Sequence, residues 1–149
     1  MPNRRPPTQN AFAARAPVLV DSGVWIALAR ARDQHHDAAD TWMREALRRR
    51  VPLLTTNLIL AEVHRFVLFH VGIRPALAVL EHIEASPSVA VVHPDAEHDR
   101  AARGWLTRFA DQRLTYTDAT SFAVMESHRC AAVLSFDHDF STAGFRIGL

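Results

Sequence analysis

The sequence contains no lysine: all 17 of its basic side chains are arginine. A Walker-type phosphate loop requires its lysine, and Schiff-base chemistry requires one as nucleophile. Receiver domains and haloacid-dehalogenase-like phosphatases pair a lysine with their aspartates and are disfavoured on the same ground. Cysteine is almost as scarce. With Cys130 alone, no internal disulfide and no all-cysteine metal site can form, and a reducing, cytoplasmic setting fits. No apolar run approaches the roughly 18 residues of a membrane span. No apolar segment of the kind a secretory signal needs follows the first arginines. These absences predict a soluble protein that stays where it is made, with no membrane partner.

What is present is globular in character. The chain has 149 residues, 48% hydrophobic and 22% charged, with a formal net charge of +1. That is one domain's worth of chain. Residues 1–16, with Pro2, Pro6, Pro7 and three arginines (Arg4, Arg5, Arg15), read as a flexible basic tail, and residues 17–149 as the domain. Without the tail's arginines the body is mildly acidic.

Short β-branched runs alternate with helical patterns. Strands are expected at 17–20, 52–55, 89–92 and 131–135, with a fifth at 145–147. Helices are expected from Ser22 as cap through Leu28, over 35–50, from Asn57 to Val71 with Gly72 closing, from Pro75 to about Ser86, from Pro94, and from Thr115 or Thr117 to about Arg129. This alternation predicts an α/β fold with a mainly parallel sheet of four to five strands.

Ligands of open parallel sheets bind outside the carboxyl ends of the strands. Asp21 follows Val18-Leu19-Val20 and Asp137 follows Val133-Leu134-Ser135-Phe136. If both strands are central and parallel, the two carboxylates share a rim; singly, each could equally cap a helix or a turn. Glu62 lies among Leu58, Ile59, Phe66 and Phe69 of a strongly apolar helix. A buried carboxylate there is costly unless it is paired, for instance with Arg65, or bound to a metal. Asp118 falls in the first turn of its helix, at capping-box distance from Thr115. Four clustered carboxylates would repel one another. A divalent cation removes the repulsion, and hard oxygen ligands select Mg²⁺ or Mn²⁺.

Four segments carry a family resemblance: Val20-Asp21-Ser22-Gly23-Val24-Trp25, Thr56-Asn57-Leu58-Ile59-Leu60-Ala61-Glu62-Val63, Leu114-Thr115-Tyr116-Thr117-Asp118-Ala119 and Ser135-Phe136-Asp137-His138-Asp139. In this order the chain resembles the PIN-domain ribonucleases, and among them the VapC-type toxins of toxin–antitoxin pairs. The family's four acidic positions fall on Asp21, Glu62, Asp118 and Asp137. The resemblance implies a three-layer α/β/α sandwich and Mg²⁺- or Mn²⁺-dependent cleavage of single-stranded RNA to 5′-phosphate and 3′-hydroxyl ends. It implies that Asp21 and Asp118 hold the metal most directly, while Glu62 and Asp137 complete the pocket or orient the water. A homodimer and a small antitoxin that covers the site are implied as partners. The tail is longer than is usual in such toxins, and Gly23 stands where Ser or Asn is common. A PIN nuclease of housekeeping RNA processing, a catalytically silent PIN-like binding module and a phosphatase with Asp21 as nucleophile are the alternatives.

The nine histidines show no His-Glu-x-x-His or other zinc spacing. Arg48-Arg49-Arg50 close a helix, where they either complement its negative end or contact an RNA backbone. The tryptophans and phenylalanines fit a core or a dimer interface better than base stacking. Cys130 is expected to be buried and inert.

Overall fold

The computed structural model describes residues 15–149; residues 1–14 of the expected tail lie outside the described residues. The sheet has four strands, β1 (Val18–Val20), β2 (Leu53–Thr56), β3 (Val89–Val92) and β4 (Ala132–Leu134), in the order β3-β2-β1-β4. All three pairings are parallel, with Val18 opposite Leu53 and Ala132, and Leu53 opposite Val89. Every residue of β1, β2 and β4 is buried. Parallel strands covered on both faces read as continuous apolar runs, as β1 and β4 do, while β2 ends in the buried Thr55 and Thr56.

The helices are α1 (Ser22–Ala29), α2 (His36–Arg48), α3 (Asn57–His70), α4 (Ile73–Ala85), α5 (Ala96–Arg108), α6 (Tyr116–Ser127) and the short α7 (Asp139–Thr142). Helix α1 packs on α2 and α3, α3 on α4, and α5 on α6. The arrangement is the three-layer α/β/α sandwich. Thr55 ties the layers: its hydroxyl donates to the Val20 carbonyl and accepts from the Trp25 indole.

Several boundaries differ from expectation for identifiable reasons. The cap of α1 is Asp21, whose carboxylate accepts from the Ser22 amide, not Ser22 itself. Helix α3 opens at Asn57 as expected, capped by Thr56 through the Ile59 amide. Helix α4 starts at Ile73, before Pro75, because a first-turn residue needs no amide hydrogen. Residues 145–147 do not form a strand; one parallel bridge joins Val133 to Ile147, and Gly144 and Gly148, at φ 95° and 93°, turn the chain away on either side. Strand β4 is therefore nearly an edge strand, and only β1 of the two aspartate-bearing strands is internal. Cys130 is half-buried, and burial pushes its thiol up to about 11.

An aromatic cluster fixes the segment after β4. Phe122 of α6 meets Phe140 edge-on at 5.1 Å and Trp105 of α5 at 5.2 Å. Phe136 stacks between His35 and Trp42, at 4.1 and 5.0 Å. Phe136 and Phe140 thus pin both ends of the stretch that holds Asp137 and Asp139. Phe140 is fully buried, so Phe140→Ala should cost about 3–5 kcal/mol. Urea unfolding checks this; a loss under 1 kcal/mol would show that α7 is not anchored there.

Candidate active site at the carboxyl edge of the sheet

Because all four strands run the same way, their carboxyl ends lie along one edge. Asp21 leaves β1 directly into α1. Thr56 leaves β2 into α3, which carries Glu62 in its second turn. Asp118 sits in the first turn of α6, and Asp137 follows β4.

Asp21 is 6% exposed. One carboxylate oxygen accepts from the Ser22 amide at 2.8 Å and the other from the Ser135 hydroxyl at 2.7 Å. Ser135 Oγ in turn accepts the Asp137 amide at 3.0 Å, and Asp137 Oδ1 accepts the Asp139 amide at 2.9 Å. One chain of hydrogen bonds thus links three aspartates. Asp118 is held by Thr115, whose hydroxyl donates to Oδ2 at 2.8 Å and accepts the Asp118 amide at 3.1 Å. The spacing that suggested a capping box is used differently: the carboxylate takes the Thr115 hydroxyl.

Asp118, Asp137 and Asp139 each present an oxygen within 4.8 Å of the others. Asp21 and Glu62 stand outside that tight group but within its field. Burial pushes Asp21 up to about 6, against the Ser135 and Ser22 hydrogen bonds, with Glu62 and Asp137 adding repulsion. Burial likewise pushes Asp118 up to about 6, with Asp21, Asp137 and Glu62 adding to it. Burial and the Asp137 charge raise Asp139. The ion pair weighed for Glu62 does not form: Arg65 lies over the Phe69 ring, 5.8 Å from its centroid. Among the described residues none of these five carboxylates takes part in a salt bridge. A group of aspartates and a glutamate, all oxygen donors, fits a hard divalent ion.

Two contributors escaped the sequence reading. Asp139 is one; its Asp-x-Asp spacing from Asp137 was visible, but a four-residue helix leaves no periodic signal. Ser135 is the other, and only the fold brings its hydroxyl to Asp21.

Residues 18–146 match the family model described as PIN domain. The chain belongs to the PIN domain family. It is 34% identical over 129 residues to the 23S rRNA-specific endonuclease VapC20 of Mycobacterium tuberculosis, covering 86% of this chain and 95% of that protein. The crystal structure of M. tuberculosis VapC20, described as a Sarcin-Ricin loop cleaving toxin, superposes with a TM-score of 0.77 at 32% identity, covering 89% of this chain and 99% of that one. FitAcB from Neisseria gonorrhoeae shares the fold at a TM-score of 0.66 and 15% identity, over 87% of this chain and 95% of that one. So does VapBC2 from Rickettsia felis, solved with a DNA fragment from the promoter, at 0.66 and 10%, again over 87% and 95%.

The raised carboxylates set the pH behaviour of this PIN domain. Between pH 4 and 6 the native state holds a proton on Asp21 that the unfolded chain has released. Metal-free stability therefore falls as pH rises through that window and is level above it. The roughly two-unit rise of Asp21 corresponds to about 3 kcal/mol at most. In EDTA at pH 8, Asp21→Asn should raise Tm, and the gain should vanish by about pH 4. Calorimetry across that range checks it; a gain independent of pH would show that relief of charge is not its source.

Proposed function

We propose that this PIN domain is a metal-dependent endoribonuclease that cuts single-stranded RNA with Mg²⁺ or Mn²⁺, and that it is the toxin of a toxin–antitoxin pair. The observation that carries the reading is the convergence of unpaired carboxylates from four segments on one sheet edge, in a chain 34% identical to a 23S rRNA-specific endonuclease. A ribosomal RNA loop is accordingly the substrate class to try first. A small antitoxin protein that covers the carboxylates, a homodimeric state and a cytoplasmic location complete the proposal.

Asp21 and Asp118 are the residues that would hold the ion most directly, with Glu62 and Asp137 completing its shell or orienting water; Asp139 adds a fifth carboxylate beside Asp118 and Asp137. A bound ion supplies charge neutralisation at the phosphodiester and an activated water. The chain supplies the rest. Ser22 and Ser135 fix both oxygens of Asp21, and Thr115 fixes Asp118. Held this way, the carboxylates need little reorganisation when the site fills. Deprotonation of Asp21 and Asp118 must accompany metal binding, so metal affinity and cleavage should decline together as pH falls below about 6.

Cleavage of a labelled single-stranded RNA pool tests the proposal. Cutting is expected with Mg²⁺ and Mn²⁺ and not with EDTA. Asp21→Asn and Asp118→Asn should each lower the rate by about 10²–10³-fold, the scale of losing one directly acting group. Folded, antitoxin-free protein that neither cuts RNA nor binds Mn²⁺ by calorimetry would refute it. Ser135 is a positioning residue. Ser135→Ala should weaken metal binding about 10–100-fold and move the acid limb of the pH profile upward, because its hydroxyl holds Asp21 down. An unmoved acid limb would confine Ser135 to packing.

A further inference from the structure

We propose that an arginine-lined cleft at the amino edge of the sheet, across the domain from the carboxylates, binds the phosphate backbone of an RNA segment outside the cut. The ligand assigned here rests on the nuclease reading above.

The cleft measures about 660 Å³ and is lined by Arg15, Arg48, Arg49, Arg50 and Arg146, with Val18 and Ala132 at its floor. Val18 and Ala132 begin β1 and β4, so the cleft lies at the strand starts, whereas the aspartates follow the strand ends. Its arginines come from three places: the residues before β1, the end of α2 and the segment after α7. A helix C-terminus attracts one or two cations of its own, but that does not account for Arg15 and Arg146, which belong to neither α2 nor its flanks.

The cluster is undercompensated. Glu45 is the carboxylate that pairs with it, at 2.7 Å from Arg48 and 4.0 Å from Arg49. Arg15, Arg50 and Arg146 make no salt bridge among the described residues. The Arg15 guanidinium donates instead to the Arg49 carbonyl, which draws it over the cleft.

Arg50 is carried to the cleft by the way α2 ends. It follows α2 at φ 53°, with the Val51 amide reaching back to the Ala46 carbonyl at 2.9 Å. This is the left-handed position that closes a helix, where glycine is the unstrained choice. Arg129 closes α6 in the same way at φ 51°, outside this cleft; the conformation fixes where Arg50 stands.

The charge layout favours a polyanion over a small anion. The carboxylate edge repels RNA until a cation fills it, so attraction comes from cationic surface elsewhere, and the cleft gathers Arg15, Arg48, Arg49, Arg50 and Arg146. Clustered guanidiniums supply it, and their planar forks match phosphate oxygens. Each phosphate neutralised on a single strand contributes about 0.7 to the slope of log affinity against log salt.

The test is binding of a labelled RNA stem-loop of several tens of nucleotides to the full chain in EDTA, by fluorescence anisotropy between 50 and 200 mM salt. The variants are the triple Arg48→Gln/Arg49→Gln/Arg146→Gln and, separately, Arg50→Gly. The triple variant should flatten the salt slope by about 2, which closes roughly a twentyfold affinity gap to wild type over that range. Arg50→Gly should flatten it by about 0.7 while Tm holds or rises, because glycine suits that backbone; misfolding therefore cannot explain its loss. Cleavage of the labelled RNA pool, run beside it, reads the nuclease proposal separately. Separated slopes in folded protein that neither cuts RNA nor binds Mn²⁺ would sink the nuclease reading and leave the cleft's phosphate binding standing. Coincident slopes in all three proteins would overturn the cleft proposal, and a loss of affinity for an acidic protein instead would reassign it.

Discussion

Mutual repulsion among carboxylates is the constraint around which this domain is arranged. Asp21, Asp118, Asp137, Asp139 and Glu62 come from four segments, and none finds a cation in a described salt bridge. Burial and proximity raise Asp21 and Asp118 to about 6. Such a group is held in place only because the surroundings over-determine it. The buried strands β1, β2 and β4, the Thr55 tie between β1, β2 and α1, and the aromatic clamp around Phe136 and Phe140 do this. The carboxylate group is unfavourable to the metal-free fold, a cost of the kind that accompanies function.

The parallel sheet also polarises the molecule. Strand ends gather acids; strand starts gather arginines. Part of this follows from one topological fact: helices that return antiparallel to the strands bring their N-termini to one edge and their C-termini to the other, although Arg15 and Arg146 reach the cleft from outside any helix end. Thr115, Asp118 and Asp21 sit at helix N-termini, and Arg48 to Arg50 at the end of α2. The absence of lysine means that every cation available for this division is a guanidinium.

Much of this was legible in the chain. Four short apolar runs separated by helical periods suffice for a parallel α/β fold, and Asp21, Glu62, Asp118 and Asp137 stand at places where such a fold exposes chemistry. The family of the chain followed from the same four segments. What could not be read depended on long-range geometry or on elements too short to have a period. Ser135 reaches Asp21 across 114 positions. Asp139 opens a four-residue helix. The fifth strand reduced to one bridge because two glycines at positive φ bend the chain. The cap of α1 shifted by one residue, Asp21 for Ser22, since adjacent polar residues compete for the same amides and tertiary placement chooses between them.

Asp21 holds two positions at once. One oxygen faces Ser135 and the chain of bonds to Asp137 and Asp139; the other closes the first turn of α1 at the Ser22 amide. Whatever occupies or protonates the carboxylate therefore alters the strength of a backbone hydrogen bond. Fraying of α1 is coupled to the state of the site, and through the Trp25–Thr55 contact to β2 and the base of α3. The amide of Ser22 thus becomes an internal reporter, its solvent exchange rate following the protonation of the carboxylate one residue away.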